Sequence, residues 1–205
     1  MHGSLFVISA PSGTGKTSLV KALTESDTIK VAVSHTTRPK RQAEVEGFSY
    51  YFTNPQGFKE MIQAEAFVEY AEVFGHYYGT SKAAVMQRID AGQDIILEID
   101  WQGALQVRKL YPEAQLIFIL PPSLAVLEQR LRDRNKDSEA VIAKRLAGAL
   151  TEMRYYKHYD YLLVNDDFAT ALNQLRAIVQ CSRLRKERQE RMHSRLLDSL
   201  FQFEN

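Results

Sequence analysis

Apolar residues in this chain follow two spacings. Unbroken runs at Leu5-Phe6-Val7-Ile8, Ile95 to Asp100, Leu116 to Leu120 and Tyr161 to Val164 have the length of strands buried on both faces. Between these runs, apolar residues recur at helical spacing. Helices are predicted from Ser18, over Lys82 to Ala91 (ended by Gly92), over Gly103 to Tyr111, and after Ser123 with Leu124, Leu127 and Leu131 on one face. A longer helix carries Ile142, Leu146, Leu150 and Met153 in register, and a last one runs from about Phe168 and becomes strongly charged after Cys181. Val31-Ala32-Val33 reads as a short second strand. Alternating strands and helices predict a parallel sheet covered on both faces. Two stretches interrupt the alternation. Ser34 to Tyr51 is polar, basic and aromatic, with Pro39 and Gly47 as breakers. Asn54-Pro55 then starts a helix with Phe58, Met61 and Ile62 on one face, and Phe67 to Tyr78 is aromatic and β-like. This region reads as an inserted lobe, and Arg132 to Ser138 as a charged break.

Composition narrows the class. A chain of 205 residues with 45% hydrophobic and 25% charged residues suits one globular domain carrying smaller lobes. A formal net charge of +1 gives no global field for nucleic acid or an anionic membrane, so neither is expected as a partner. The single cysteine, Cys181, allows no internal disulfide and fits a reducing compartment. No run approaches the roughly 20 apolar residues of a membrane span, and the first strand begins almost at the N-terminus. Together these features predict a cytoplasmic protein. His2, His35, His76 and His158 show no metal-ligand spacing. The tail Arg183 to Arg195 alternates in sign and reads as a solvated helix face. As part of a long charged C-terminal helix, it offers a surface for a homo-oligomer.

The chemistry concentrates in one loop. Ala10-Pro11-Ser12-Gly13-Thr14-Gly15-Lys16-Thr17, between an apolar run and the helix opened by Ser18, has the strand–loop–helix context of a phosphate-binding P-loop. Gly13 and Gly15 let the N–H groups converge on an anion, Lys16 reaches β- and γ-phosphates, and the Thr17 hydroxyl can ligate Mg²⁺. Ala10 stands where a first glycine is common. Ligands of open parallel sheets bind at the carboxyl ends of the strands, where Glu98 and Asp100 fall. Asp100, nearer the strand end, is the stronger candidate for a second Mg²⁺ support. Arg38 and Arg41 can fork onto one anion, with Tyr50 and Tyr78 donating to the same oxygens. Glu69 offers two acceptor oxygens, which match the ring N–H and exocyclic NH₂ of a guanine edge. Arg130 and Arg134 share one helix face and Arg145 lies on the next helix. The three can close over a triphosphate.

Val33-Ser34-His35-Thr36-Thr37-Arg38, Tyr77-Tyr78-Gly79-Thr80, Ile99-Asp100-Trp101-Gln102-Gly103 and Val164-Asn165-Asp166-Asp167 resemble, in order, the signature segments of guanylate kinases. The resemblance covers nearly the whole chain. It implies an α/β, P-loop NTPase-type parallel sheet flanked by helices, with an inserted nucleoside-monophosphate-binding lobe and a lid. It also implies ATP-dependent phosphorylation of GMP, and of dGMP, with Mg²⁺ as cofactor, a step of purine nucleotide metabolism. The corresponding division is core at 1–33, GMP lobe at 34–82, core at 83–123, lid at 124–153, and core with C-terminal helix at 154–205. By matching position, ATP lies on Ala10, Pro11, Ser12, Gly13, Thr14, Gly15, Lys16, Thr17 and Ser18, with Asn165 near the adenine. Arg38, Arg41, Tyr50 and Tyr78 hold the GMP phosphate. Ser34, Glu69 and Thr80 read guanine, and Asp100 supports both acceptor and metal. Lys16, Arg38, Arg130, Arg134 and Arg145 carry the catalytic charge, and Thr17 and Asp100 the metal. Glu98 replaces an aspartate usual in that strand, and Asn135 follows Arg134 where glycine is usual. Two other readings are a catalytically inactive interaction module on the same fold and a kinase of another small phosphate acceptor.

Overall fold

A computed structural model describes residues 3–73, 75–134 and 138–201, the Arg134 side chain excepted. Asn135 and His2, singled out above, therefore lie outside the described residues. The strands are β1 (Leu5–Ser9), β2 (Lys30–Val31), β3 (Ser34–Thr36), β4 (Tyr51–Phe52), β5 (Phe67–Val73), β6 (His76–Ser81), β7 (Ile95–Glu98), β8 (Gln115–Leu120) and β9 (Tyr161–Val164). The α-helices are α1 (Lys16–Ser26), α2 (Pro55–Gln63), α3 (Lys82–Asp90), α4 (Trp101–Leu110), α5 (Leu124–Arg134), α6 (Glu139–Met153), α7 (Phe168–Arg183), α8 (Lys186–Met192) and α9 (Ser194–Phe201). A 3₁₀ turn spans Arg154–His158.

The apolar runs form a parallel sheet in the order β2-β7-β1-β8-β9. Successive side chains of a strand point to opposite faces, so each run feeds two cores. Phe6, Ile8, Ile96 and Ile117 meet Leu19 and Leu23 of α1 and Leu175 and Val179 of α7. Leu5, Val7, Ile95 and Leu97 meet Val85 of α3 and Ala104 and Val107 of α4. Complete burial of each such side chain contributes about 1.5–3 kcal/mol, so this sheet is the rigid base of the molecule.

Residues 34–81 supply all of a second sheet, in the order β4-β3-β6-β5. Its hairpin β5-β6 is antiparallel, with a register irregularity between Phe67 and Glu69. Asn54 caps α2 as its sequence suggests, accepting from the Gly57 N–H at 2.8 Å, and Pro55 opens the helix. Phe58 of α2 is fully buried and stacks on Phe67 and Tyr77, 4.6 and 5.4 Å between centroids, which ties the helix to the hairpin.

Three expectations need correction. Val31 to Val33 is not one strand: β2 ends at Val31, Ala32 still donates to the Ile96 carbonyl at 2.9 Å, and Ser34 opens β3 of the other sheet. The short run marks the crossing between sheets. In α6 the buried residues are Ile142 and Ala149, and Ala149 packs with Leu127 and Leu131 of α5. Leu150 is 42% exposed, because the face of α6 that is buried is the one turned to α5, through Ala149.

The C-terminal region is three helices rather than one, and its arginines are not all solvated. The buried Asp94 carboxylate accepts from Arg183 Nε at 2.7 Å, Arg188 Nη1 at 2.5 Å and the Ser4 N–H at 2.8 Å. Arg183 also grips Asp27 through two bonds of 2.9 and 2.5 Å. Burial alone raises the Asp94 pKa, yet Arg188 and Arg183 hold it below the usual range. Asp27 is held low by Arg183.

Candidate active site

The loop after β1 has the form its glycines permit. Gly13 and Gly15 sit at φ +91° and +89°, left-handed conformations that disfavour other residues. Space matters as well: a Cβ on Gly13 lies 3.1 Å from Leu127 Cδ1 and Leu131 Cδ2, so α5 packs directly on the loop. Asn165, just past β9, is buried and donates from Nδ2 to the Thr14 carbonyl at 2.6 Å. Both terminal nitrogens of Arg130 donate to the Asn165 carbonyl at 3.1 Å. The loop is thus braced from α5 and β9 while its open side faces the cleft. Gly15 caps α1 without a side-chain bond, and the first turn of α1 carries no acidic residue. The helix brings no acidic side chain of its own to its positive end, which favours an anion there.

The cleft has a volume of about 1000 Å³ and runs from Ala10–Ser18 to Ser34, Tyr50 and Tyr78, with Glu98, Asp100, Arg130, Glu152 and Asn165 along it. A recess of about 140 Å³ shares Lys16, Ser34, Tyr50, Tyr78, Glu98 and Asp100 with this cleft and adds Glu69. The carboxylate facing the loop is Glu98. It accepts from Thr17 Oγ1 at 2.7 Å and lies 4.0 Å from Lys16 Nζ. Asp100 instead caps α4, accepting from the Gly103 N–H and from Gln102 Nε2, both at 3.0 Å, while still lining the cleft. Of the two acidic residues at this strand end, Glu98 is therefore the one engaged with Thr17.

In the recess, Glu69 is 3% exposed. Its Oε1 accepts from Thr80 Oγ1 at 2.6 Å. That bond uses the Thr80 proton, so across the 2.9 Å Ser34–Thr80 contact the serine is the donor. Burial pushes the Glu69 carboxyl up to about 7, against the pull of the Thr80 bond and with some help from nearby Asp100. Tyr50 and Tyr78 meet edge to face at 6.0 Å, and the Arg38 guanidinium lies over the Tyr50 ring at 5.5 Å. Glu44 pairs with Arg38 at 2.5 Å and accepts from the Arg41 N–H at 2.8 Å, curling this basic loop. The charge-assisted bond to Glu44 raises the Arg38 pKa.

Most residues chosen from sequence converge on the cleft: the whole P-loop, Ser34, Tyr50, Glu69, Tyr78, Asp100, Arg130 and Asn165 line it, with Thr80 behind Glu69 and Arg38 behind Tyr50. Arg41 is exposed, and neither it nor Arg145 is among the lining residues. Arg134 is the last residue of α5. Sequence reasoning missed Glu152, which enters the cleft from α6. Burial pushes its carboxyl up to about 7, Asp100 adds to this, and Lys16 opposes it. The available signal was its position seven residues after Arg145, on the same helix face. Beyond α6, Tyr155 stacks on Trp101 of α4 with centroids 3.6 Å apart and planes 11° from parallel. That contact pins the end of α6 to the helix that follows Asp100.

A parallel sheet flanked by helices, with a glycine-lined anion cradle between β1 and α1, defines a P-loop NTPase-type protein. A family model described as guanylate kinase matches residues 2–182. Guanylate kinase of Escherichia coli (strain K12) is 53% identical over 202 residues, covering 97% of this chain and 98% of that protein. Guanylate kinase of Methylococcus capsulatus is 57% identical over 200 residues, with 97% and 98% covered. The crystal structure of guanylate kinase from Anaplasma phagocytophilum superposes with a TM-score of 0.78 at 32% identity, covering 95% of this chain and 96% of that one. The chain belongs to the guanylate kinase family.

Proposed function

We propose that this protein is an ATP:GMP phosphotransferase in which Glu69 selects the purine and the P-loop holds the donor. One observation carries the reading: a buried carboxylate, backed by the Ser34–Thr80 hydroxyl pair, stands in a recess that opens onto Lys16. An ionised carboxylate accepts from two adjacent donors, the guanine ring N–H and NH₂. Adenine presents no such pair and would leave the buried acid unpaired. Residues 34–82 form the acceptor lobe and 124–153 the lid. Arg38 and the Tyr50–Tyr78 pair bind the acceptor phosphate. Arg41, Arg134 and Arg145 join when the lobe and lid close. A reducing cytoplasm suits the lone cysteine.

The reaction is a direct in-line transfer. An oxygen of the GMP phosphate forms a bond to the γ-phosphorus, the β–γ bridging bond breaks, and ADP leaves with that bridging oxygen. The attacking oxygen is already anionic, so no general base is needed. Lys16 and Arg130 stabilise the charge that spreads over the moving group. Closure of α5 and α6 over the cleft excludes water, which otherwise competes as acceptor. Mg²⁺ fits the donor set, since Thr17 and Glu98 offer hard oxygen ligands with Asp100 nearby. When bound with ATP it neutralises phosphate charge. A panel of GMP, dGMP, AMP, UMP and CMP with ATP, read by coupled ADP release, tests the proposal. Turnover confined to the guanine nucleotides is expected. Equal turnover with AMP, or no turnover with any acceptor, overturns it.

A further inference from the structure

Gly103 is the third residue of α4, and among ordinary residues glycine is the poorest helix former apart from proline. Its φ lies outside the left-handed range, so backbone conformation does not demand a glycine there. Space does. A Cβ at this position falls 2.5 Å from Glu69 Oε2 and 3.2 Å from Glu69 Cδ, with Ile99 Cδ1 at 3.1 Å. The free oxygen of Glu69 therefore rests against the first turn of α4. The strand carrying Glu69 has little room to retreat. One turn along α4, Gln106 accepts from the Tyr70 N–H at 3.1 Å and donates to the Tyr70 carbonyl at 2.7 Å, clamping β5 beside Glu69. The other carboxylate oxygen is fixed by Thr80. With backbone and one oxygen held, an added methyl group is relieved only by turning the carboxylate away.

We propose that Gly103 is a specificity-determining positioning residue: the missing side chain on α4 is the seat that aims the Glu69 carboxylate at the base edge. This rests on Glu69 being the purine reader, and the experiment separates the two. GMP and inosine monophosphate, which keeps the ring N–H but lacks the exocyclic amine, are compared as acceptors for wild type, Gly103→Ala, Glu69→Gln, Glu69→Asp and Gly103→Ala/Glu69→Asp.

Gly103→Ala is expected to raise KM for GMP about tenfold or more, the cost of disturbing a bond to a charged group. It should leave KM for ATP unchanged and erode the preference for GMP over inosine monophosphate. On the Glu69→Asp background, where the acid is one methylene shorter, the same alanine should cost less than about twofold, the non-additivity expected of residues in contact. A wild-type preference in Gly103→Ala, or equal losses on both backgrounds, overturns the inference. If Glu69→Gln also keeps the wild-type preference, the purine-reading role of Glu69 fails as well. If Glu69→Gln loses the preference and Gly103→Ala does not, only the inference fails. Should Gly103→Ala not fold, recovery of folding in Gly103→Ala/Glu69→Ala supports the steric seat, and continued failure overturns it.

Discussion

Replacing Glu69 with glutamine keeps its size and its ability to accept from Thr80 but removes its titration. The consequence for the empty protein is a change in stability with pH. A carboxyl that ordinarily titrates at 4.5 is pushed up to about 7 by burial. Between these values the unfolded chain has lost the proton and the folded protein keeps it. Stability therefore falls as pH rises through this window, and the loss is complete above about pH 7. At roughly 1.4 kcal/mol per decade the displacement is worth roughly 3 kcal/mol. In glutamine the term vanishes, so the stability of Glu69→Gln relative to wild type should grow by roughly that amount between pH 4.5 and pH 8. Urea unfolding of ligand-free protein at a series of pH values measures it, since titrating groups remote from position 69 cancel in the difference. Because only the ionised carboxylate accepts from both purine donors, GMP should also expel a proton on binding near pH 6. Calorimetry in buffers of different ionisation heat detects this. Parallel stability profiles for the two proteins would refute the reasoning at its base, whatever the variant does to turnover.

Asp94→Ala leaves Arg188 without its carboxylate and Arg183 with Asp27 alone, and should cost about 3 kcal/mol in urea unfolding, the scale for breaking a buried pair from one side. Since Asp27 and Asp94 titrate below their ordinary value of 3.8, the stability they contribute is present above that pH and is lost as the pH falls further. An Arg183→Ala/Arg188→Ala protein should show a shallower acid transition, followed by circular dichroism. Asn165→Ala removes the bond to the Thr14 carbonyl but leaves the backbone acceptor of Arg130 in place. KM for ATP should rise about tenfold with KM for GMP unchanged. Lys16→Ala should lower kcat by about a hundredfold or more with an unaltered far-ultraviolet spectrum, and turnover near wild type would contradict its assigned role.

The parallel sheet was readable because strands covered on both faces need unbroken apolar runs, and β1, β7 and β8 have them. The phosphate loop and the start of α2 were readable because their chemistry is local: glycines at positive φ in one, an Asn-Pro cap in the other. What escaped was set by partners distant in the chain. Arg183 and Arg188 alternate with acidic neighbours as a solvated face does, and only the fold brings Asp94 to them. Glu98 and Asp100 sit two residues apart on one strand end, and their division of labour depends on where α1 and α4 begin. Glu152 comes from a helix whose apolar pattern gives no hint of the cleft, and the exposed Leu150 shows how loosely that pattern fixes its face. The resemblance to guanylate kinases located the recess residues through their motifs, since composition alone treats Glu69 as one surface acid among many.

Trp101 is the single tryptophan of the chain, and it lies flat against Tyr155. The fluorophore therefore sits where the end of α6 meets α4, one residue from Asp100. Any sliding of these two rings changes the overlap that quenches and shifts indole emission. The native protein thus carries an optical reporter at this junction, and stopped-flow emission after mixing with nucleotide tests, without an attached dye, whether the proposed closure moves it.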